Sequence, residues 1–519
     1  MRKSRRRYVR KRHRVVWPPQ HEGCCKENAQ ARGVGFDGCV GGGRKVNRIV
    51  FGTDGWRAVM ADRFTFANVE RLAQATADYW SRNPPECSER LVIVGYDRRF
   101  LSEQFGIRVA EVFAGNDFEV ELGKGPMPTP SVSLAVKQRK AAGGVVITAS
   151  HNPPIFNGYK IKSNHGGAAN TALCNGVERM LDGQPVRALP LAEAIKARKI
   201  RLRDLRPAHF STVRRMVDFK AIAGSGLRIA HEALYGVGAG CFETLLADTN
   251  CRVVTLHAGH DPLFGGLTPE PIPKNYGQAR AWLRRNPQDL CLVTDGDADR
   301  IGAMDGRGGL LSTHNIMCLL LNHIVRRRGG SGVVVKAITT TSMLDKMCDD
   351  FGLELRVAPV GFKYISEEML KADVLLGAEE SGGFGLPAHI PERDGILAGM
   401  LLLEMLAFER RPIRRLLADL EKKYGRHCYG RIDAHCAPGS GPRLMEFLKR
   451  NPPRKLAGSP LADVVTLDGV KFVAADTSWL MLRASGTEPV LRIYAESSSE
   501  QRVQSLLDLG RKLLKAGGG

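Results

Sequence analysis

Short apolar runs that stop abruptly against loops of small and polar residues set the plan of this chain. Gly144-Val145-Val146-Ile147 runs into Thr148-Ala149-Ser150-His151-Asn152-Pro153-Pro154. Residues 289–294 run into Asp295-Gly296-Asp297-Ala298-Asp299-Arg300, and residues 372–376 into Gly377-Ala378-Glu379-Glu380-Ser381-Gly382-Gly383. Runs this short, apolar throughout and bounded by glycine or proline, read as strands buried on both faces. Between them, residues 66–80, 102–114, 130–138, 314–326 and 342–350 carry apolar side chains at helical spacing. The alternation predicts an α/β protein whose sheets are mainly parallel and covered on both sides. A Gly-rich turn followed by a helix is also expected over 235–246, and a charged helical segment over 184–207 that leads out of the first unit. From about residue 445 the elements shorten into strands near 469–472, 479–483 and 490–495 and a last helix, which reads as a small α+β domain. At 519 residues the chain is too long for one core, so several domains are expected.

Each loop has chemistry of its own. Ser150 follows a strand, and two prolines keep the loop irregular, which suits a hydroxyl that is attacked or carries phosphate. Alone, it would equally read as a helix cap. Asn157-Gly158-Tyr159-Lys160 brings a turn and then a lysine. Lys160 is the best candidate for a general base among the side chains near Ser150, provided that its pKa is lowered. His151 is placed to help position phosphate. Asp295, Asp297 and Asp299 alternate at a strand end, where three carboxylates repel one another unless a cation sits among them; hard oxygen ligands beside phosphate suit Mg2+. Arg300 adds a planar fork for phosphate. Arg483-Ala484-Ser485-Gly486-Thr487-Glu488-Pro489 offers a guanidinium, two hydroxyls and backbone amides, a cradle for a phosphate held by Arg483, Ser485, Gly486 and Thr487. Arg492 is placed to assist.

These four loops, together with Phe51-Gly52-Thr53-Asp54-Gly55-Trp56-Arg57, stand in an order that resembles the α-D-phosphohexomutases, the phosphoglucomutase/phosphomannomutase family. The likeness runs from about Val46 to the C-terminus. It implies three similar mixed α/β domains plus a C-terminal α+β domain around a central cleft. The expected boundaries are 46–202 with the phosphoserine loop, 203–307 with the metal loop, 308–425 with the sugar-binding loop and 426–519 with the phosphate-binding loop. The resemblance further implies a phosphoserine at Ser150, Mg2+ on Asp295, Asp297, Asp299 and a phosphoserine oxygen, and a hexose 1,6-bisphosphate intermediate that also serves as activator. By the same likeness Arg57 lies near the phosphoserine. Lys363, in Val360-Gly361-Phe362-Lys363-Tyr364, points at the cleft, and Glu379 and Ser381 read two sugar hydroxyls. The sequence departs at Gly383, where some bispecific members carry histidine. Glucose phosphate is the expected preference and mannose phosphate a second substrate, with a phosphoglucosamine mutase as the alternative.

Charge and cysteine bound the partners. The net charge is +22, but residues 1–48 hold 14 Lys and Arg against 3 acidic residues, so half of the excess lies in under a tenth of the chain. The remainder is mildly basic, which fits a small anionic substrate. Residues 1–45 are poor in apolar residues and are expected to be a disordered basic extension. They read as upstream sequence translated from a misassigned start ahead of a solvated tail or a nucleic-acid-binding arm. A nucleic-acid partner is therefore the minor reading. The 12 cysteines show no paired metal-ligand spacing and read as reduced thiols of a cytoplasmic protein. The most apolar helix, 395–408, is too short to span a bilayer and contains Glu404, so no membrane partner is expected.

Overall fold

A computed structural model of the chain describes residues 49–516, except 53, 87, 436–439 and 485–489. The expected extension over residues 1–45 lies outside the described residues.

The first sheet orders its strands Trp56–Val59, Phe156–Ser163, Ala141–Ile147, Glu89–Tyr96, Glu119–Gly123 and Ile200–Arg203. Its first two strand pairs are antiparallel and the other three parallel. Alternation along the strands buries both faces. Val92, Val94, Val145 and Ile147 pack with Val69, Leu72, Val109 and Phe113 from helices Phe66–Arg82 and Ser102–Gly115. Leu91, Ile93 and Val146 face the other way, onto Val132 and Val136 of helix Thr129–Gln138. A strand covered on both sides must be apolar throughout, which is why Ala141–Ile147 has no polar alternation.

Two local expectations give way to tertiary pairing. Within the charged 184–207 segment only Leu191–Lys196 and the first two residues of helix Arg206–Met216 are helical; Ile200–Arg203 instead pairs parallel with Glu119–Gly123, Ile200 opposite Val120. An open edge supplied the hydrogen-bond partners that a lone charged strand lacks. Residues 157–160 are likewise strand rather than turn, since Phe156–Ser163 pairs antiparallel with Ala141–Ile147.

The second sheet runs Leu310–Leu311, Ile301–Asp305, Leu290–Thr294, Arg228–Glu232, Arg252–Leu256, and the third Glu354–Ala358, Val333–Ala337, Val374–Ala378, Phe384–Gly385. In the second unit the helix is confined to Cys241–Leu246; the residues before it form a loop whose Val237 N–H donates to Gly296 O at 3.1 Å. Helix Gly395–Glu409 is buried around nearly its whole circumference because it fills a core shared by both sheets, touching Leu292 and Ile301 as well as Val334 and Leu376. Its buried Glu404 accepts from Asp218 N–H and His323 Nε2, both at 3.1 Å. No helix among the described residues is long and apolar enough to cross a membrane. The last unit is a six-stranded antiparallel sheet, Cys428–His435 to Lys455–Leu456, carrying helices Ser440–Arg450 and Glu500–Ala516. The architecture is thus three α/β domains followed by a C-terminal α+β domain.

Candidate active site

The serine loop is a hairpin connection held open by its prolines. After Ile147 the chain leaves the sheet and returns at Phe156, with Ile147 opposite Tyr159. Ser150 is fully buried and sits at φ +51°, a left-handed conformation that a non-glycine residue keeps only when its surroundings enforce it. Its N–H donates to Thr148 Oγ1 at 2.8 Å, and that hydroxyl donates to Asp97 Oδ2 at 2.6 Å. Ser150 Oγ donates to Asp295 Oδ2 at 2.9 Å and lies 3.3 Å from His151 Nδ1.

Strand Leu290–Thr294 delivers Asp295, Asp297 and Asp299 to the same place, all fully buried. Gly296 is what lets the two loops meet: a Cβ there would lie 2.5 Å from the Ser150 carbonyl oxygen. Gly296→Ala is therefore expected to push the serine and acidic loops apart. It should lower kcat about 10²-fold, as sub-ångström misplacement of reacting groups does, while the protein still folds. Turnover together with a melting curve checks this; an unchanged kcat in the variant would refute the close approach.

Cations hold this acidic cluster together. Lys160 Nζ lies 2.8 Å from Asp297 Oδ2, 3.2 Å from Asp299 Oδ2 and 2.8 Å from Asp54 Oδ2. Arg393 reaches Asp299 Oδ2 at 2.7 Å and Asp54 Oδ2 at 2.9 Å. Arg57 bridges Asp54 Oδ2 (3.0 Å) and Asn152 Oδ1 (2.6 Å). Arg300 Nε stands 3.9 Å from both Asp295 and Asp299. Burial raises the carboxyls of Asp54 and Asp297, yet Lys160 and Thr129 hold Asp297 below the usual carboxylate range, and Lys160, Arg393 and Arg57 do the same for Asp54. Asp295 goes the other way: burial, then Asp297 and Asp299, push it well above that range. Asp297 Oδ1 and Asp299 Oδ1 are buried acceptors without a hydrogen-bond partner. An all-oxygen donor set with two such open oxygens fits a hard divalent cation.

The condition placed on Lys160 is not met. Burial would lower its pKa, but Asp297, Asp299 and Asp54 outweigh burial and raise it, so the amine stays protonated in this setting. With its three carboxylate partners facing it, Lys160 is a fixed positive charge. His151 is driven well below the ordinary imidazole value by burial and by Arg300, Arg57 and Lys160, and is neutral.

In the third-domain loop, Glu379 Oε2 accepts from Ser381 Oγ at 3.0 Å and stands 3.6 Å from Arg393. The loop adjoins the acidic strand through the Arg300–Gly383 bridge. A Cβ on Gly383 would lie 2.3 Å from Arg393 Cδ, so the volume of a histidine at 383 is taken by Arg393. Lys363 stands apart from this network: its Nζ lies 3.2 Å from Thr171 Oγ1 and over the Tyr364 ring. Arg483 Nε donates to Asp468 Oδ2 at 2.9 Å, and Asp468 also accepts from Val360 N–H, tying the last domain to the third. Ser485, Gly486 and Thr487 lie outside the described residues.

Sequence reasoning assigned no role to Asp54, Thr129 or Arg393. Asp54 was visible in the Thr53-Asp54-Gly55 stretch, three residues before Arg57. Arg393 carries no local signal, because it acts across domains on Asp54 and Asp299, while its neighbour Glu392 pairs with Lys162 at 2.6 Å.

Comparison with known proteins accounts for this arrangement. Family models described as phosphoglucomutase/phosphomannomutase, alpha/beta/alpha domains I, II and III, match residues 48–185, 207–308 and 312–424, and the C-terminal domain model matches 446–510. A solved structure of a candidate phosphomannomutase from Thermus thermophilus superposes with a TM-score of 0.80 at 37% identity, over 90% of this chain and 99% of that one. A phosphoglucomutase from Komagataeibacter xylinus is 29% identical over 493 residues, 87% of each chain. A phosphoglucosamine/phosphogalactosamine mutase from Sulfurisphaera tokodaii is 26% identical over 468 residues, 90% of this chain and 98% of the relative. With all four domain models matched in order, the chain belongs to the α-D-phosphohexomutase family and is a phosphohexomutase.

Proposed function

We propose that this enzyme interconverts hexose 1-phosphate and hexose 6-phosphate through a phosphoryl group carried on Ser150. The observation that carries the reading is the 2.9 Å contact of Ser150 Oγ with Asp295, inside a buried carboxylate cluster with two unpartnered oxygens. In the forward direction the free hydroxyl of the bound hexose phosphate attacks the phosphorus on Ser150. The new P–O bond forms as the bond to Oγ breaks, leaving a hexose 1,6-bisphosphate. The bisphosphate turns over, and Ser150 Oγ takes back the other phosphoryl group. Dividing the isomerisation into two transfers through one nucleophile makes each an in-line displacement.

The side chains divide the work. Arg57 and Asn152 hold the loop entrance, and Lys160 supplies fixed positive charge beside the transferring oxygens. Neutral His151, 3.3 Å from Oγ, helps position the phosphate. Arg300 forks toward phosphate; Glu379 and Ser381 bind sugar hydroxyls, and Lys363 swings from Thr171 toward the substrate. Arg483, with Ser485, Gly486 and Thr487, holds the phosphate that is not reacting. Mg2+ held by Asp295, Asp297, Asp299 and a phosphoserine oxygen would, when bound, offset the charge on the phosphoryl group in flight. Hexose 1,6-bisphosphate that escapes would return as activator by rephosphorylating Ser150.

Glucose 1-phosphate is the proposed preferred substrate, with mannose 1-phosphate also turned over. Gly361-Phe362-Lys363 and Glu379-Glu380-Ser381 support glucose, and the names of the relatives divide among several sugars. Glucose and mannose differ only at C2, and a site rejects an epimer strongly only where its own buried polar groups go unpaired. Glu379→Ala is expected to lower kcat/KM for both sugars together, by roughly 10²-fold if two hydrogen bonds are lost. Parallel assays with glucose, mannose and glucosamine 1-phosphates test this. A variant that loses glucose activity and keeps mannose activity would end the dual-substrate reading.

A further inference from the structure

The peptide carbonyls of the serine loop converge on one side chain that the proposed chemistry does not use. Arg99 follows strand Glu89–Tyr96, and its side chain is fully buried. One terminal nitrogen donates to Ser150 O at 2.6 Å and Asn152 O at 2.7 Å; the other donates to Pro153 O at 2.9 Å and Phe156 O at 3.0 Å. Nε stands 3.2 Å from Asp97 Oδ2, and the guanidinium lies 5.0 Å from the centre of the Phe264 ring, which belongs to the second domain. Asp97 in turn accepts from Thr148 Oγ1 at 2.6 Å, Ser102 Oγ at 2.8 Å and Arg99 N–H at 2.9 Å. The segment before the loop is thereby fastened to the same pair.

This geometry answers two problems of the loop. Pro153 and Pro154 have no N–H, so the loop cannot close its own ladder, and inward carbonyls need donors from elsewhere. Ser150 also sits at φ +51°, which needs outside enforcement. A planar guanidinium offers five donors in a fixed fork and meets four carbonyls at once; an ammonium has three donors at one point and cannot span them. Phe264 excludes water from the guanidinium face, which strengthens every one of these bonds.

We propose that Arg99 is the positioning residue that aims Ser150 for phosphoryl transfer, by clamping the carbonyls of residues 150, 152, 153 and 156. It touches neither the sugar nor the phosphate. The assignment rests on the reading that Ser150 carries the phosphoryl group.

The test uses the full chain, with glucose 1-phosphate as substrate and glucose 1,6-bisphosphate as phosphoryl donor. Arg99→Lys keeps the charge opposite Asp97 but loses the fork. It is expected to stay folded by circular dichroism and to lose about 10²-fold in kcat with KM within a few-fold, as misplacement of a reacting group does. Phosphorylation of Ser150, followed by peptide mass, should slow in parallel. Arg99→Ala should regain part of kcat when millimolar guanidinium is added, and Ser150 phosphorylation should recover with it. A folded Arg99→Lys protein that phosphorylates Ser150 at the wild-type rate overturns the proposal. So does an Arg99→Ala protein that is folded and indifferent to guanidinium, or failure of both variants to fold, which would make Arg99 a residue of the core only. A wild-type enzyme that turns over with no phosphate on Ser150 refutes the Ser150 reading itself, whatever the Arg99 variants do.

Discussion

Ser150→Ala is expected to leave a folded enzyme whose turnover falls by on the order of 10³-fold or more, the loss typical of removing a nucleophile. The serine is fully buried and makes one side-chain bond to a carboxylate, so its loss should cost only about 1 kcal/mol of stability. Intact-mass and peptide spectra should find phosphate at Ser150 in the wild type and none at that site in the variant. Undiminished turnover in Ser150→Ala would remove the phosphoserine from the mechanism.

Stripping divalent metal is expected to be as damaging. The cluster places Asp54, Asp295, Asp297 and Asp299 against Lys160, Arg57, Arg300 and Arg393, four acidic groups against four fixed cations. A phosphate on Ser150 would add about −1.5 to −2 of charge to this buried site. A divalent cation offsets that increment, and Asp297 Oδ1 and Asp299 Oδ1 stand ready without partners. Excess chelator should therefore abolish phosphoryl transfer, and added Mg2+ should restore it. Asp297→Asn should raise the Mg2+ concentration needed for half-maximal activity by about tenfold or more, since a neutral amide replaces a charged hard ligand. Full activity in excess chelator would sink the metal assignment. Calorimetric titration of Mg2+ into wild type and Asp297→Asn gives a second readout independent of turnover.

The carboxylate cluster was legible because alternation at a strand end is a local pattern: Asp295, Asp297 and Asp299 announce themselves in one line of sequence. The hairpin return at 156–163 was not, since its pairing partner is a tertiary choice, and neither was the edge strand at 200–203. The electrostatic setting of Lys160 was hidden for the same reason. Its three carboxylate partners lie 106, 137 and 139 positions away along the chain.

What the residues determine by themselves is the set of parts: apolar runs that must be strands buried on both faces, loops of small residues at their ends, and hydroxyl, carboxylate and guanidinium groups on those loops. Burial and backbone hydrogen bonding leave a chain with this pattern little alternative to layered α/β domains. What only the tertiary structure decided is which parts face each other. Gly296 against the Ser150 carbonyl, Arg393 in the space beside Gly383, and Arg99 beneath the serine loop are meetings between segments far apart in the chain. Their energies come from excluded water and close approach, quantities that exist only once the domains have packed.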